Sequence, residues 1–106
     1  MKVEDAIAHI LKEEGTEFLF AYPVNGLIES CAKLDIRPII VRQERIGLHM
    51  ADALSRLSSG KRIGVFAMQS GPGTENAFGG VAQAYGDSHP IIVLPMGYSR
   101  KLSNVK

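Results

Sequence analysis

Residues 42–90 read RQERIGLHMADALSRLSSGKRIGVFAMQSGPGTENAFGGVAQAYGDSHP, and this stretch decides the fold. An acid, Glu44, opens a helical pattern whose core stripe is Ile46, Met50, Ala53, Leu54 and Leu57, and Gly60 ends it. A continuous apolar run from Ile63 to Met68 follows, as in a strand covered on both faces. The turn Ser70-Gly71-Pro72-Gly73 then opens another helix. Its stripe is Ala77, Phe78, Val81, Ala82 and Tyr85, and Gly86-Asp87 closes it. The order places an acid and a close-approach backbone turn at neighbouring strand ends. In a parallel α/β sheet, ligands bind at that edge.

The flanking sequence repeats the unit. Upstream, Val3, Ala6, Ile7, Ile10 and Leu11 keep helical spacing up to Gly15. Phe18 to Tyr22 reads as a buried strand ended by Pro23. Asn25-Gly26 can cap a helix with Leu27, Ile28, Cys31 and Leu34 on its inner face, and Pro38 to Val41 reads as a strand. Downstream, Ile91 to Leu94 is a further strand before Pro95. Helix and strand alternate, so the fold class is α/β: a three-layer α/β/α design with a parallel sheet and right-handed crossovers. About four strands are present. Lys101 to Lys106 forms no obvious closing element, so residues 1–106 are expected to be a partial domain with an open sheet edge.

Composition narrows the class. A chain of 106 residues is at most one domain, and 45% hydrophobic with 22% charged residues is ordinary for a globular protein. The net charge of +1 is spread along the chain, with no basic stripe for nucleic acid. The apolar run Ile91 to Met96 is far too short to span a bilayer, and the acid-bearing amphipathic N-terminus is no signal peptide. The single cysteine, Cys31, allows no internal disulfide and suggests no thiolate metal site. A reducing, cytoplasmic compartment fits.

Several residues can carry chemistry, each with a plainer alternative. At a helix start, backbone N–H groups favour the ionised form of Glu44, while an apolar ligand packed over it favours the protonated form. Such an acid can share a proton with a ring nitrogen of a heterocycle, or it can simply complement the helix terminus. The glycines of Ser70-Gly71-Pro72-Gly73 let a ligand approach the backbone, and Pro72 is tolerated at a helix start. The same turn also serves as a plain strand-to-helix connection. It is no dinucleotide fingerprint, because Asn76 stands at the third glycine position, and Gly60-Lys61-Arg62 is no phosphate loop. Asn76 can offer an amide to a ligand or to a neighbouring loop. Tyr22-Pro23 can be a binding wall or a breaker. His9, His49 and His89 lack metal-ligand spacing. Asp52 and Arg56, four apart, are expected to pair on the helix surface.

As a set, these residues resemble the N-terminal, pyrimidine-binding domain of thiamine diphosphate-dependent enzymes, in particular the acetolactate synthase, pyruvate oxidase and benzoylformate decarboxylase group. The matches are Arg42 and Glu44, Met50-Ala51-Asp52, Ser70-Gly71-Pro72-Gly73 with Asn76, Gly80 with Ala82 and Ala84, and Asp87 with Pro90. They cover almost the whole chain in order. The departures are Gln43 for a usual His, Gln69 for a common Thr, Ala21-Tyr22-Pro23-Val24 for Gly-Tyr-Pro-Gly, and Ala53-Leu54-Ser55-Arg56 for Gly-Tyr-Ala-Arg. These favour a less defined member over acetolactate synthase itself. The resemblance implies that Glu44 hydrogen-bonds N1′ of the aminopyrimidine and promotes the imino tautomer, whose N4′ takes the thiazolium C2 proton. It also implies that Tyr22, Pro23, Ser70, Gly71, Pro72, Gly73 and Asn76 lie around the pyrimidine.

The implied cofactor is thiamine diphosphate, and the implied substrate a small 2-keto acid that is decarboxylated or ligated. Magnesium and the diphosphate belong to a separate domain or chain with Gly-Asp-Gly and Asn-Asn motifs, which do not occur here. The resemblance also implies a homo-oligomer with its active site between chains, and these residues alone should not catalyse. Some relatives need FAD; nothing here indicates it. Two alternatives remain at this level. One is a separate small subunit paired with a diphosphate-binding chain. The other is a non-catalytic α/β module for a nucleotide or protein, which requires an exposed Glu44 with no pocket beside it.

Overall fold

A computed structural model describes residues 2–98 and 101. The expectation for Lys101 to Lys106 therefore lies outside the described residues, apart from Lys101. The elements run α1 (Val3–Glu13), β1 (Phe18–Ala21), α2 (Leu27–Lys33), β2 (Arg37–Ile40), α3 (Glu44–Leu57), β3 (Gly64–Met68), α4 (Pro72–Gly86) and β4 (Ile91–Pro95). The four strands form one parallel sheet in the order β2-β1-β3-β4. The expected alternation and the parallel three-layer architecture are what the chain adopts.

Successive side chains of a strand point to opposite faces, so each strand feeds two cores. Leu19 and Ala21 of β1 and Val65 and Ala67 of β3 face α1 and α2, where they join Ala8, Leu11, Leu27 and Cys31. Phe20, Phe66 and Met68 face the other way and join Leu48, Ala51 and Ala77 of α3 and α4. The path from β1 to β2 moves to one side with its helix on the first face. The path from β2 to β3 moves back across β1 with its helix on the second face. Reversing both direction and face preserves the hand of the crossover, as chain twist requires. The reversal leaves a topological switch point between β1 and β3.

The helix faces differ from the expected stripes. On α3 the buried residues are Glu44, Gly47, Leu48, Ala51, Asp52 and Ser55, while Ile46 is 49% and Leu57 85% exposed. On α4 they are Gly73, Ala77, Gly80 and Ala84, while Phe78 and Tyr85 are exposed. On α1 only Ala8 and Leu11 are fully buried, and Val3 and Ile10 face solvent. The cause is closeness. A Cβ on Gly64 of β3 would stand 2.0 Å from the Ala51 carbonyl oxygen, and one on Gly47 would stand 2.2 Å from the Phe66 ring. A Cβ on Gly80 would meet Leu48 at 2.3 Å. At that separation small residues take the closest contacts, Leu48 fills the core between them, Met50, Leu54 and Val81 of the expected stripes pack at its margin, and Ile46, Leu57, Phe78 and Tyr85 are turned outward.

Asp52 is likewise not a surface residue: it is 3% exposed. His89 Nδ1 lies 2.9 Å from one of its carboxylate oxygens, and Arg56 donates to the other at 3.3 Å. Arg56 also donates to Asp87 at 2.7 Å, and this guanidinium holds the Asp87 carboxyl below the usual carboxylate range. The network fastens the middle of α3 to the turn between α4 and β4. A buried carboxylate needs such partners to offset lost hydration.

The two kinds of glycine separate in a mutational test. Gly64→Ala forces a methyl group into a backbone carbonyl and should cost about 1–3 kcal/mol or more. Gly79, with nothing within 4 Å of its Cβ position, should gain about 0.5–1 kcal/mol as alanine, because it lies on the exposed face of α4. Urea unfolding midpoints of the two variants measure both shifts.

Candidate functional site

The carboxyl edge of the sheet is tied together beyond the strands themselves. The Tyr22 N–H donates to the Ala67 carbonyl at 3.0 Å, and the Val41 N–H to the Ala21 carbonyl at 3.0 Å. Asn25 Nδ2 donates to the carbonyls of Met68 at 3.0 Å and Leu94 at 3.4 Å, while its Oδ1 accepts from the Leu27 N–H at 2.9 Å. One side chain thus caps α2 and ties the ends of β3 and β4. Its capping role is readable from the sequence; its reach across the sheet is not, because those partners are distant in the chain.

At this edge a polar cleft of about 400 Å³ is lined by Tyr22, Arg42, Gln43, Glu44, Arg45 and Asn76. Tyr22 follows β1, Arg42 and Gln43 follow β2, Glu44 is the first residue of α3, and Asn76 lies in the second turn of α4. Glu44 is 5% exposed. Asn76 Nδ2 donates to Glu44 Oε2 at 3.1 Å. An ionised carboxylate only accepts hydrogen bonds, so the amide nitrogen must face it. This leaves the other carboxylate oxygen for a partner in the cleft. Glu44 is buried beside a cleft and held by a residue of a second helix, not the exposed group without a pocket that a non-catalytic module requires.

Of the other residues singled out from sequence, Pro23 is exposed next to Tyr22 and outside the lining. Ser70, Gly71, Pro72 and Gly73 form the entrance to α4, one turn before Asn76, also outside the lining. Gly71 has φ +62° and ψ −112°, a backbone conformation that L side chains rarely adopt. Pro72 follows at the first helical position, so the N–H it lacks is one the helix could not have used. Gly73 is buried: a Cβ there would meet Gln69 Cγ at 2.5 Å. Arg42, Gln43 and Arg45 are further lining residues that the sequence reading did not place in the site; their position beside Glu44 in the chain is the available signal. His9 is exposed, His49 half-buried, and His89 belongs to the Asp52 network.

A second cleft of about 410 Å³ lies at the opposite, amino edge of the sheet, with Thr16, Phe18, Lys61 and Arg62 among its walls. The glycine turn, Glu44 and Asn76 are all remote from it. The carboxyl edge is therefore the candidate site, in agreement with the switch-point rule.

The family described as "Thiamine pyrophosphate enzyme, N-terminal TPP binding domain" matches residues 1–106. The chain is 35% identical over 94 residues to the acetolactate synthase large subunit of Haemophilus influenzae, covering 85% of this chain and 16% of that protein. It is 34% identical over 101 residues to human 2-hydroxyacyl-CoA lyase 2, covering 92% and 16%. The crystal structure of benzoylformate decarboxylase from Polynucleobacter necessarius superposes with a TM-score of 0.74 at 20% identity, over 96% of this chain and 19% of that one. This last likeness concerns the fold. The chain thus spans about one sixth of the length of the curated relatives it matches.

The Glu44–Asn76 contact makes a testable demand. Asn76→Asp sets two carboxylates about 3 Å apart, which raises the folded-state pKa of one above its unfolded value. An acid with a raised folded pKa destabilises the fold at neutral pH, and the penalty fades as pH falls through that pKa. The variant should be less stable than wild type by roughly 1 kcal/mol at pH 7. The gap should close towards pH 4 in parallel denaturant titrations.

Proposed function

The chain belongs to the family of N-terminal TPP-binding domains of thiamine pyrophosphate enzymes, and on that premise we propose that it forms the pyrimidine side of a thiamine diphosphate site in an enzyme acting on a small 2-keto acid. The observation that carries the reading is the buried carboxylate of Glu44, held by Asn76 and opening into a polar cleft at the switch point. The donor set fits an aminopyrimidine. Glu44 keeps an oxygen for a ring nitrogen, and Tyr22 supplies an aromatic wall.

In this reading Glu44 holds or moves a proton at N1′ of the pyrimidine. A carboxylic acid suits that task because it can give and take the same proton. Asn76 fixes the orientation of the carboxylate and supplies a hydrogen bond that persists in both protonation states. The close packing of α3 on β3 keeps Glu44 from following solvent. When bound, thiamine diphosphate supplies the electron sink for breaking or forming the bond next to the keto group. The magnesium and diphosphate would be held by a second domain or chain, in a homo-oligomeric assembly. Whether the reaction is decarboxylation, carboligation or a flavin-linked variant depends on residues beyond these, and a cytoplasmic setting accords with the single, buried cysteine.

Two outcomes test the proposal. In the complete assembly, Glu44→Gln keeps the side-chain size but cannot exchange a proton. Cofactor-dependent consumption of the keto acid should fall by on the order of a hundred- to ten-thousandfold. Glu29→Gln, on the exposed face of α2, should leave turnover unchanged, and near-wild-type turnover in Glu44→Gln would remove the catalytic assignment. Separately, residues 1–106 alone should bind thiamine diphosphate weakly in calorimetry with magnesium. Among the described residues, no group of three or more His, Cys, Asp or Glu is placed to hold the metal. Submicromolar affinity would mean that the diphosphate site has been misassigned.

A further inference from the structure

β4 leaves the sheet at Pro95, but the chain after it is still guided. The Met96 N–H donates to the Met68 carbonyl at 2.9 Å, and the same carbonyl accepts from Asn25 at 3.0 Å. Asn25 also reaches the Leu94 carbonyl. These bonds set where the segment after β4 starts relative to the end of β3. Two residues on, Tyr98 comes to rest over the entrance to α4. Its hydroxyl oxygen lies 3.3 Å from the point where a Cβ on Gly71 would stand. The Tyr98 side chain is not there to fill a core, because the residue is 67% exposed.

We propose that Tyr98 is a ligand-positioning residue of the carboxyl-edge site, its phenol hydroxyl contacting the heterocycle that approaches the Ser70–Gly73 turn. The inference rests on the thiamine diphosphate reading of this site and adds a residue to it. A phenol both donates and accepts, so it can meet either the amino group or a ring nitrogen at the edge of an aminopyrimidine. Its hydroxyl stands on the side of the turn that a Cβ on Gly71 would have faced, so a ring approaching the turn from that side meets the phenol first. Tyr98 thereby brings the fourth strand into a site otherwise built from the loops after the first three.

The test uses the complete protein and two readouts. Tyr98→Phe keeps the ring and removes one hydrogen bond. The calorimetric dissociation constant for thiamine diphosphate should rise about five- to tenfold. Turnover at saturating cofactor should stay within about twofold of wild type, because the lost contact serves binding. In protein labelled with 3-fluorotyrosine, the ¹⁹F resonance assigned to Tyr98 by its loss in Tyr98→Phe should shift when the cofactor is added. Unchanged affinity in Tyr98→Phe, or a resonance that does not move, overturns the inference. If Glu44→Gln still abolishes turnover in that case, the reading of the site stands without Tyr98. If the wild-type protein binds no thiamine diphosphate, both fall.

Discussion

The carbonyl of Ala51 occupies the space where a side chain on Gly64 would be, and much of the site depends on that contact. It lets α3 lie so close to β3 that small residues must take the nearest contacts. Gly47 against Phe66 and Gly80 against Leu48 extend the same closeness to the start of α3 and to α4. Because α3 is pressed onto the sheet, its first residue, Glu44, is drawn inward instead of into solvent. Because α4 is pressed onto α3, Asn76 arrives within hydrogen-bond distance of that carboxylate. The burial and orientation of the acid follow from packing several residues away, which is how a rigid scaffold gives one side chain a defined chemical setting.

The opposite end of the same helix pair is fixed by charge. Asp52, Arg56, Asp87 and His89 link the second half of α3 to the turn after α4. Small-residue packing at one end and a partly buried polar network at the other hold the two helices in one register. Asn25 performs the analogous task across the sheet by joining the start of α2 to the ends of β3 and β4. The loops that build the cleft are thus short segments between anchored ends.

Much of this was legible in the residues. Uninterrupted runs such as Ile63 to Met68 announce strands buried on both faces, and the alternation with helices announces a parallel sheet. The motifs around Glu44, Gly71 and Asn76 point to the carboxyl edge of the sheet, where Glu44, Asn76 and Tyr22 line one cleft. The helix faces are legible only in part: Met50, Leu54 and Val81 of the expected stripes pack against the core, whereas Ile46, Leu57, Phe78 and Tyr85 face solvent. Beside Ala77, which the stripe includes, the closest contacts select Gly47, Ala51 and Ser55 on α3 and Gly73, Gly80 and Ala84 on α4. That small-residue spacing was available as a signal. The burial of Asp52 was not, since His89 is 37 positions away and helical spacing reveals only the partner at Arg56. Tyr98 was unreadable for the same reason: its neighbour Gly71 is set by strand order.

The central claim is that Glu44 exchanges a proton with a ring nitrogen of a bound pyrimidine. The most direct measurement is a pH titration of the Glu44 carboxyl by isotope-edited infrared difference spectroscopy in the assembled protein, with the Glu44→Gln variant as the blank. It is made without ligand, with thiamine diphosphate, and with an analogue carrying carbon in place of N1′. The account predicts that the cofactor changes the titration of Glu44 and that the carbon analogue, equal in shape, does not reproduce the change. The same titration in all three states would contradict it.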